Sequence, residues 1–230
     1  MKISIVILTF NSQKYLQKVL NSCLFADEIL IVDSGSSDET LNIAKTFSNV
    51  KTVQQKWLGF GKQKQAGVDA CKNDWVFVLD SDEVITKELR EEILADTLIY
   101  KAYFVPRLNY FFGKPIRHCG LYPDITLRFF DKNFAKFSED EVHEKVITKE
   151  KTAILKNHML HFAYENIEEF IAKQNKYSSL NKKQNIFKAI FNPYWTFFKI
   201  YFLRLGFLEG KSGFIIAKLY AQYTFWKYIK

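Results

Sequence analysis

Cysteine is scarce. Three residues, Cys23, Cys71 and Cys119, lie far apart in a chain of 230. Their number is odd, no CxxC occurs, and no Cys/His spacing suits zinc. That excludes a disulfide framework and a structural zinc centre, and makes a reducing compartment the expectation. Long apolar runs are missing too. The nearest approach to a spanning segment, 186–208, is interrupted by Lys188, Asn192, Pro193, Lys199 and Arg204. No membrane-crossing helix is expected from it. The apolar run 3–8 passes straight into Thr9, Phe10 and Asn11 without a small-residue cleavage site. It reads as a buried strand, not a signal peptide. Internal repeats and low-complexity segments are also lacking.

Acid is what the end of the chain lacks. Residues 181–230 hold nine Lys and Arg but one acid, Glu209, whereas residues 1–180 hold 24 of each sign. The net charge of +8 therefore sits in the last fifth of the chain, together with 15 of the 38 aromatic residues. With 48% hydrophobic and 25% charged residues, the chain has the composition of a folded protein. It divides into a neutral body, 1–180, and a basic aromatic tail, 181–230.

The first hundred residues alternate between two periods. The runs 3–8, 28–32 and 75–79 predict buried strands, and 50–53 predicts a short further strand. Segments 12–25, 62–72 and 86–99 predict helices, and Ser36 with Glu39 has the spacing of a capping box opening another. This rhythm predicts an α/β fold, a mostly parallel sheet with helices on both faces. Ligands bind such sheets beyond the carboxyl ends of the strands, where Asp33, Asp80 and Asp82 fall. After residue 100 the alternation stops. Strands are expected at 100–112 and 125–130, and an amphipathic helix at 165–180.

Asp80-Ser81-Asp82 is the most informative motif. Two carboxylates two apart on a turn can point at one cation, and such oxygen ligands suit Mg²⁺ or Mn²⁺. A solvated acidic turn is the bland alternative, and the position after a buried strand favours the ligand site. Asp33 opens the turn Asp33-Ser34-Gly35-Ser36-Ser37-Asp38. Turn chemistry explains part of this segment, and an acid there can also accept hydrogen bonds from a ribose or a base.

These segments carry a resemblance. Residues 4–11 (SIVILTFN), 33–40 (DSGSSDET) and 79–83 (LDSDE), in that order and spacing, resemble family 2 glycosyltransferases of the GT-A fold. Residues 109–114 (NYFFGK), 120–124 (GLYPD), 127–130 (LRFF) and 142–144 (VHE) are similar to β-1,4-glucosyltransferases of lipopolysaccharide and lipooligosaccharide inner-core assembly. The resemblance divides the body into a nucleotide-sugar half, 1–100, and an acceptor half, 101–180. It implies an inverting transfer of a hexose, glucose from UDP-glucose, to a heptose with the help of Mn²⁺ or Mg²⁺. It implies donor contacts from Thr9, Phe10, Asn11, Asp33, Lys62, Lys64, Asp80 and Ser81, with Phe10 stacking on uracil. Asp80 and Asp82 are the implied metal ligands. The family often has Arg-Asn where this chain has Lys64-Gln65.

A single displacement needs a base for the acceptor hydroxyl. The acidic stretch 138–144 supplies the candidates: Glu144 first, then Glu141 and Asp140, with His143 open between metal ligand and loop residue. Arg107, Lys114, Arg117 and Arg128 offer charge to an acidic inner-core acceptor, or else form ordinary salt bridges. Asp124 is a candidate for an acceptor hydroxyl. His158 and His161 read as structural.

Aromatic and basic content without spanning length suits helices lying in a membrane interface. The tail is therefore expected to dock the chain on a membrane surface, which the resemblance implies is the inner face of the bacterial inner membrane, where a lipid-anchored glycan acceptor would be held. The alternative is that its apolar residues pack on the catalytic domain or on a second copy of the chain, with lysines snorkelling outward. Pro193 predicts the first turn of a helix to about 205, and 214–228 predicts a last helix. Other acceptors, such as a polyprenyl phosphate, also fit a glycosyltransferase. A nucleic-acid-binding protein would fit the pI of 9.2, but the neutral body and the acids at the strand ends oppose it.

Overall fold

The computed structural model describes residues 1–95, 99–138, 144–180 and 183–230. The chain forms two compact units. The first holds Met1–Arg107 and Ile125–His161, the second Leu108–Asp124 and Phe162–Lys230. The boundary read near residue 180 falls inside the second unit.

In the first unit β1 (Ile3–Thr9), β2 (Glu28–Asp33), β3 (Val50–Gln54) and β4 (Trp75–Asp80) alternate with α1 (Gln13–Cys23), α2 (Thr40–Lys45) and α3 (Phe60–Ala70). Next come β5 (Glu83–Ile85), α4 (Lys87–Leu94), β6 (Ala102–Phe111), β7 (Lys114–Pro115) and β8 (Asp124–Asp131). The chain continues through β9 (Ala135–Phe137), β10 (Val146–Thr148), β11 (Thr152–Ile154) and β12 (Met159–Tyr164). The sheet order is β3-β2-β1-β4-β8-β6-β12-β5, while β9 and β10 form a separate hairpin. The first four strands are parallel; β8 joins β4 antiparallel.

Continuous apolar runs give β1, β2 and β4 two buried faces, whereas β3 is exposed along most of its length. Val6, Leu8, Leu30, Val32, Val76 and Val78 form one cluster with Val68 of α3. On the opposite pleat Ile5, Ile7, Ile29 and Ile31 are fully buried as well. Gly67 lets α3 approach closely, since a Cβ there would come within 2.5 Å of Val6 Cγ1. Register then fixes the ligand edge. Thr9 lies opposite Asp33 on one side of β1, and Leu8 opposite Asp80 on the other. The two acids therefore flank the end of β1, where the strand order switches direction.

The capping box does not form. Glu39 is the N-cap of α2 with no side-chain cap bond, and the Ser36 hydroxyl turns to Asp33 instead. That hydroxyl donates to the buried carboxylate and accepts from Asn11 N–H, so the loops and not the helix end hold it. The helix expected at 86–99 runs from Lys87 to Leu94, capped by Thr86, whose hydroxyl accepts from Leu89 N–H. Residues 96–98 lie outside the described part.

The second unit holds α5 (Ile167–Leu180), α6 (Ile186–Phe198) and α7 (Gly210–Ile229). A π-helical stretch, Lys199–Leu203, and a 3₁₀ turn, Gly206–Glu209, separate the last two. Its core gathers Phe111, Ile116, Cys119, Phe170, Ile200, Ile216 and Ala217. Pro193 does not open a helix but sits inside α6, whose N-cap is Asn185, accepting from Lys188 N–H. The last helix begins at Gly210, four residues before the expected start, and includes Gly213. Among the described residues no helix is long and apolar enough to cross a membrane.

Candidate active site

Asp33 ends β2 and is fully buried. Its Oδ1 accepts from Thr9 Oγ1 at 2.8 Å and from the Ser36 hydroxyl; its Oδ2 accepts from the N–H groups of Gly35 at 2.9 Å and Ser36 at 2.8 Å. Burial alone would raise its pKa, but the bonds from Ser36, Thr9 and Gly35 outweigh it, and the pKa falls below the ordinary value. Four donors fill the acceptor capacity of one carboxylate. Asp33 thus holds the loop after β2. Gly35 makes that turn possible at φ +97°.

Phe10 follows β1 and is 62% exposed, a bare ring at the ligand edge. Asn11, with φ 49°, ties the two loops together. Its N–H donates to Ser36 Oγ at 2.9 Å, and its side-chain oxygen accepts from Ser37 N–H at 2.9 Å. Lys62 projects from α3 into solvent, whereas Lys64 is buried.

Asp80 ends β4. Its Oδ1 lies 3.2 Å from Lys64 Nζ, and its Oδ2 accepts from Arg128 Nη2 at 2.6 Å. Desolvation would raise its pKa, but the charges of Arg128 and Lys64 drive it well below the usual carboxylate range. A third of the side chain stays exposed, so solvent screens part of that attraction. Lys64 Nζ also reaches Glu144 Oε1 at 2.9 Å. Glu83 Oε1 accepts from Arg107 Nη1 at 3.0 Å and Arg128 Nη2 at 3.1 Å. Lys64, Arg107 and Arg128 thus meet Asp80, Glu83 and Glu144, three charges of each sign. Arg107 and Arg128, read from sequence as acceptor contacts, have these headgroups turned to the acids. Ser81 Oγ bonds Ser12 Oγ at 2.9 Å, tying the turn after β4 to the loop after β1.

Asp82 is a third exposed, and its Oδ2 lies 3.6 Å from His161 Nε2. Among the described residues no group of three His, Cys, Asp or Glu is spaced to hold a metal. The donor set still fits a divalent ion whose shell is completed by substrate phosphates. Asp82 offers carboxylate oxygen, His161 offers imidazole nitrogen, and both ligand types suit Mn²⁺. Asp80 carries two cationic partners already.

Lys114, Arg117 and Asp124 belong to the second unit. Lys114 and Arg117 are exposed, with the Arg117 guanidinium 5.4 Å from the Tyr122 ring centre, and Asp124 Oδ2 accepts from Asn109 Nδ2 at 3.3 Å. Glu141, Asp140 and His143 lie outside the described residues. Sequence reasoning missed Glu83 and His161. Glu83 was visible only as the letter after the DxD. His161 faces Asp82 because β12 pairs antiparallel with β5, placing His161 opposite Glu83, and no local pattern signals that.

A family model described as glycosyl transferase family 2 matches residues 4–119. The lipopolysaccharide core biosynthesis glycosyltransferase LpsC of Rhizobium meliloti is 31% identical over 245 residues, spanning 97% of this chain and 89% of that protein. An uncharacterized glycosyltransferase of Rickettsia prowazekii is 30% identical over all of this chain and 86% of its own length. Among solved structures, residues 1–349 of Staphylococcus aureus TarS in complex with UDP superpose with a TM-score of 0.53 at 18% identity, covering 100% of this chain and 89% of that one. That is a likeness of fold.

Proposed function

The chain belongs to glycosyl transferase family 2 and has its GT-A fold, and from that premise we propose that it transfers glucose from UDP-glucose to a heptose of the lipopolysaccharide or lipooligosaccharide inner core, inverting the anomeric centre with the aid of a divalent cation. The observation that carries the reading is Asp80 at the end of β4 next to β1, with Asp82 two residues on and 3.6 Å from His161, while Asp33 on the other side of β1 holds the adjoining loop. The naming of LpsC as a core glycosyltransferase supports the acceptor class, and the UDP complex of TarS supports the nucleotide.

Phe10 offers its exposed face to uracil, and the loop pinned by Asp33 shapes the pocket around it. Asp82 and His161 would hold the cation, which when bound stabilises negative charge on the departing diphosphate. In the transfer, the acceptor oxygen forms a bond to the anomeric carbon as the bond to the diphosphate oxygen breaks. The electron pair leaves with UDP and the acceptor proton passes to Glu144. Lys64 Nζ, 2.9 Å from Glu144 Oε1, holds that carboxylate in position. Lys114, Arg117 and Asp124 are proposed to meet the acidic glycan. Residues 181–230 hold the chain on the lipid surface at the cytoplasmic face of the inner membrane.

Sugar-nucleotide hydrolysis across UDP- and GDP-sugars, with and without Mn²⁺, tests this reading. UDP-glucose is expected to be the preferred substrate and Mn²⁺ to stimulate. Glu144→Gln should lower transfer by about 10²–10⁴-fold without loss of fold. Equal turnover in that variant removes Glu144 from the reaction, and absence of any nucleotide binding overturns the enzyme as a whole.

A further inference from the structure

We infer that Glu83 is a positioning residue, which fixes the Asp80 carboxylate for the nucleotide by holding both the Asp80 backbone and the arginine that grips it. The side chain of Glu83 is fully buried. Its Oε2 accepts the Asp80 N–H at 2.9 Å, which pins the backbone at the start of the Asp80-Ser81-Asp82 turn. Its Oε1 receives Arg107 Nη1 and Arg128 Nη2 at 3.0 and 3.1 Å. The same Arg128 Nη2 donates to Asp80 Oδ2 at 2.6 Å, so one nitrogen is shared between the buried acid and the partly exposed one. Main chain and side chain of Asp80 are therefore both set by Glu83, directly at the amide and indirectly through Arg128.

The charges require an acid at this position. Arg128 is buried, and among the described residues its Nε has no hydrogen-bond partner. Leaving its headgroup to Asp80 alone would draw that carboxylate inward, away from the ligand edge. Glu83 supplies the second anion and leaves Asp80 one third exposed. Glutamine has the same shape but cannot do this. Its oxygen can serve one side of the site, and its NH₂ then faces N–H donors on the other.

The inference rests on the donor reading in one respect, that the ligand used to read it out is UDP. The experiment is a double-mutant cycle on UDP affinity, measured by titration calorimetry at fixed Mn²⁺. Glu83→Gln and Asp80→Asn are each expected to weaken UDP by about tenfold or more, and Glu83→Gln placed in the Asp80→Asn background to change it by less than about twofold, because coupled residues are not additive. Glu83→Asp keeps the charge but is one methylene shorter. It should fold, melt close to the wild type and bind UDP with intermediate affinity; it carries the cycle if Glu83→Gln does not fold. Independent effects of the two substitutions, or a lower melting point with unchanged UDP affinity, make Glu83 a structural residue and overturn the inference. A wild-type chain that does not bind UDP overturns the donor reading, and this inference with it.

Discussion

Thr9 directs its hydroxyl at a carboxylate that no solvent reaches. Its partner Asp33 has a pKa below the ordinary value of about 3.9, so the stability it contributes is complete above that pH and is lost as pH falls through the lower folded value. Thr9→Val keeps the shape of a residue that is 3% exposed and deletes one of the four donors to Asp33. At pH 7 the variant should be less stable by about 1.5–3 kcal/mol, the range for a hydrogen bond to a charged group. At a pH low enough to protonate the folded carboxyl the penalty should shrink, since the deleted bond is then to a neutral group. Urea midpoints at the two pH values check this, and an equal penalty at both would mean that the charge on Asp33 is not involved. Asp33, Asp80 and Asp82 are legible in the sequence because each closes or follows an apolar run. What Asp33 does there is not legible. An acid at a strand end invites assignment to the ligand, yet its lone pairs are taken by Thr9, Gly35 and Ser36. Glu83 and His161 are silent for a related reason, since their contacts come from strand pairing across long separations.

Elements are read well where one period dominates and poorly where small residues serve tertiary contacts. The strands β1, β2 and β4 emerge within a residue of their apolar runs because burial on both faces leaves nothing else to specify. The tail is harder. Gly206, Gly210 and Gly213 read as punctuation, but α7 runs through the last two. Gly213 is required by contact: a Cβ there would overlap the carbonyl oxygen of Gly206, and one on Gly206 would lie 2.7 Å from Ile200 O. This close approach seats α7 against the 3₁₀ turn. Pro193 is tolerated inside α6 although it removes an amide that would bond the carbonyl four residues back. Gly213→Ala, a gain in intrinsic helix propensity of up to about 1 kcal/mol, should nevertheless destabilise the chain by about 1–3 kcal/mol, the usual cost of overpacking. Thermal melting checks the sign. A raised melting temperature would mean that propensity, not the contact with Gly206, decides the position.

The whole molecule joins a candidate site built on acids to a cationic, aromatic end, and part of that end is exposed. On α6 and beyond, Phe187, Phe191, Trp195, Phe198 and Phe202 recur at helical spacing and are exposed, Phe187 by 73%, while Ala189 and Ile200 face the core. Such a stripe is large for a surface that meets only water. The eight excess positive charges of residues 181–230 favour an anionic lipid surface as its cover. Replacing Phe187, Phe191 and Trp195 together by Ser leaves the buried side of α6 intact and removes most of the interfacial area. Sedimentation with vesicles of phosphatidylglycerol and phosphatidylethanolamine should show wild-type binding that weakens with salt, because the lysines act through a screened field, and at least about 30-fold weaker binding by the triple variant. A variant that binds as well as the wild type would remove α6 from the contact. If the wild type ignores vesicles but sediments as a dimer that the triple substitution dissociates, the stripe is covered by a second copy of the chain. The acceptor would then have to be delivered to the site without a lipid dock.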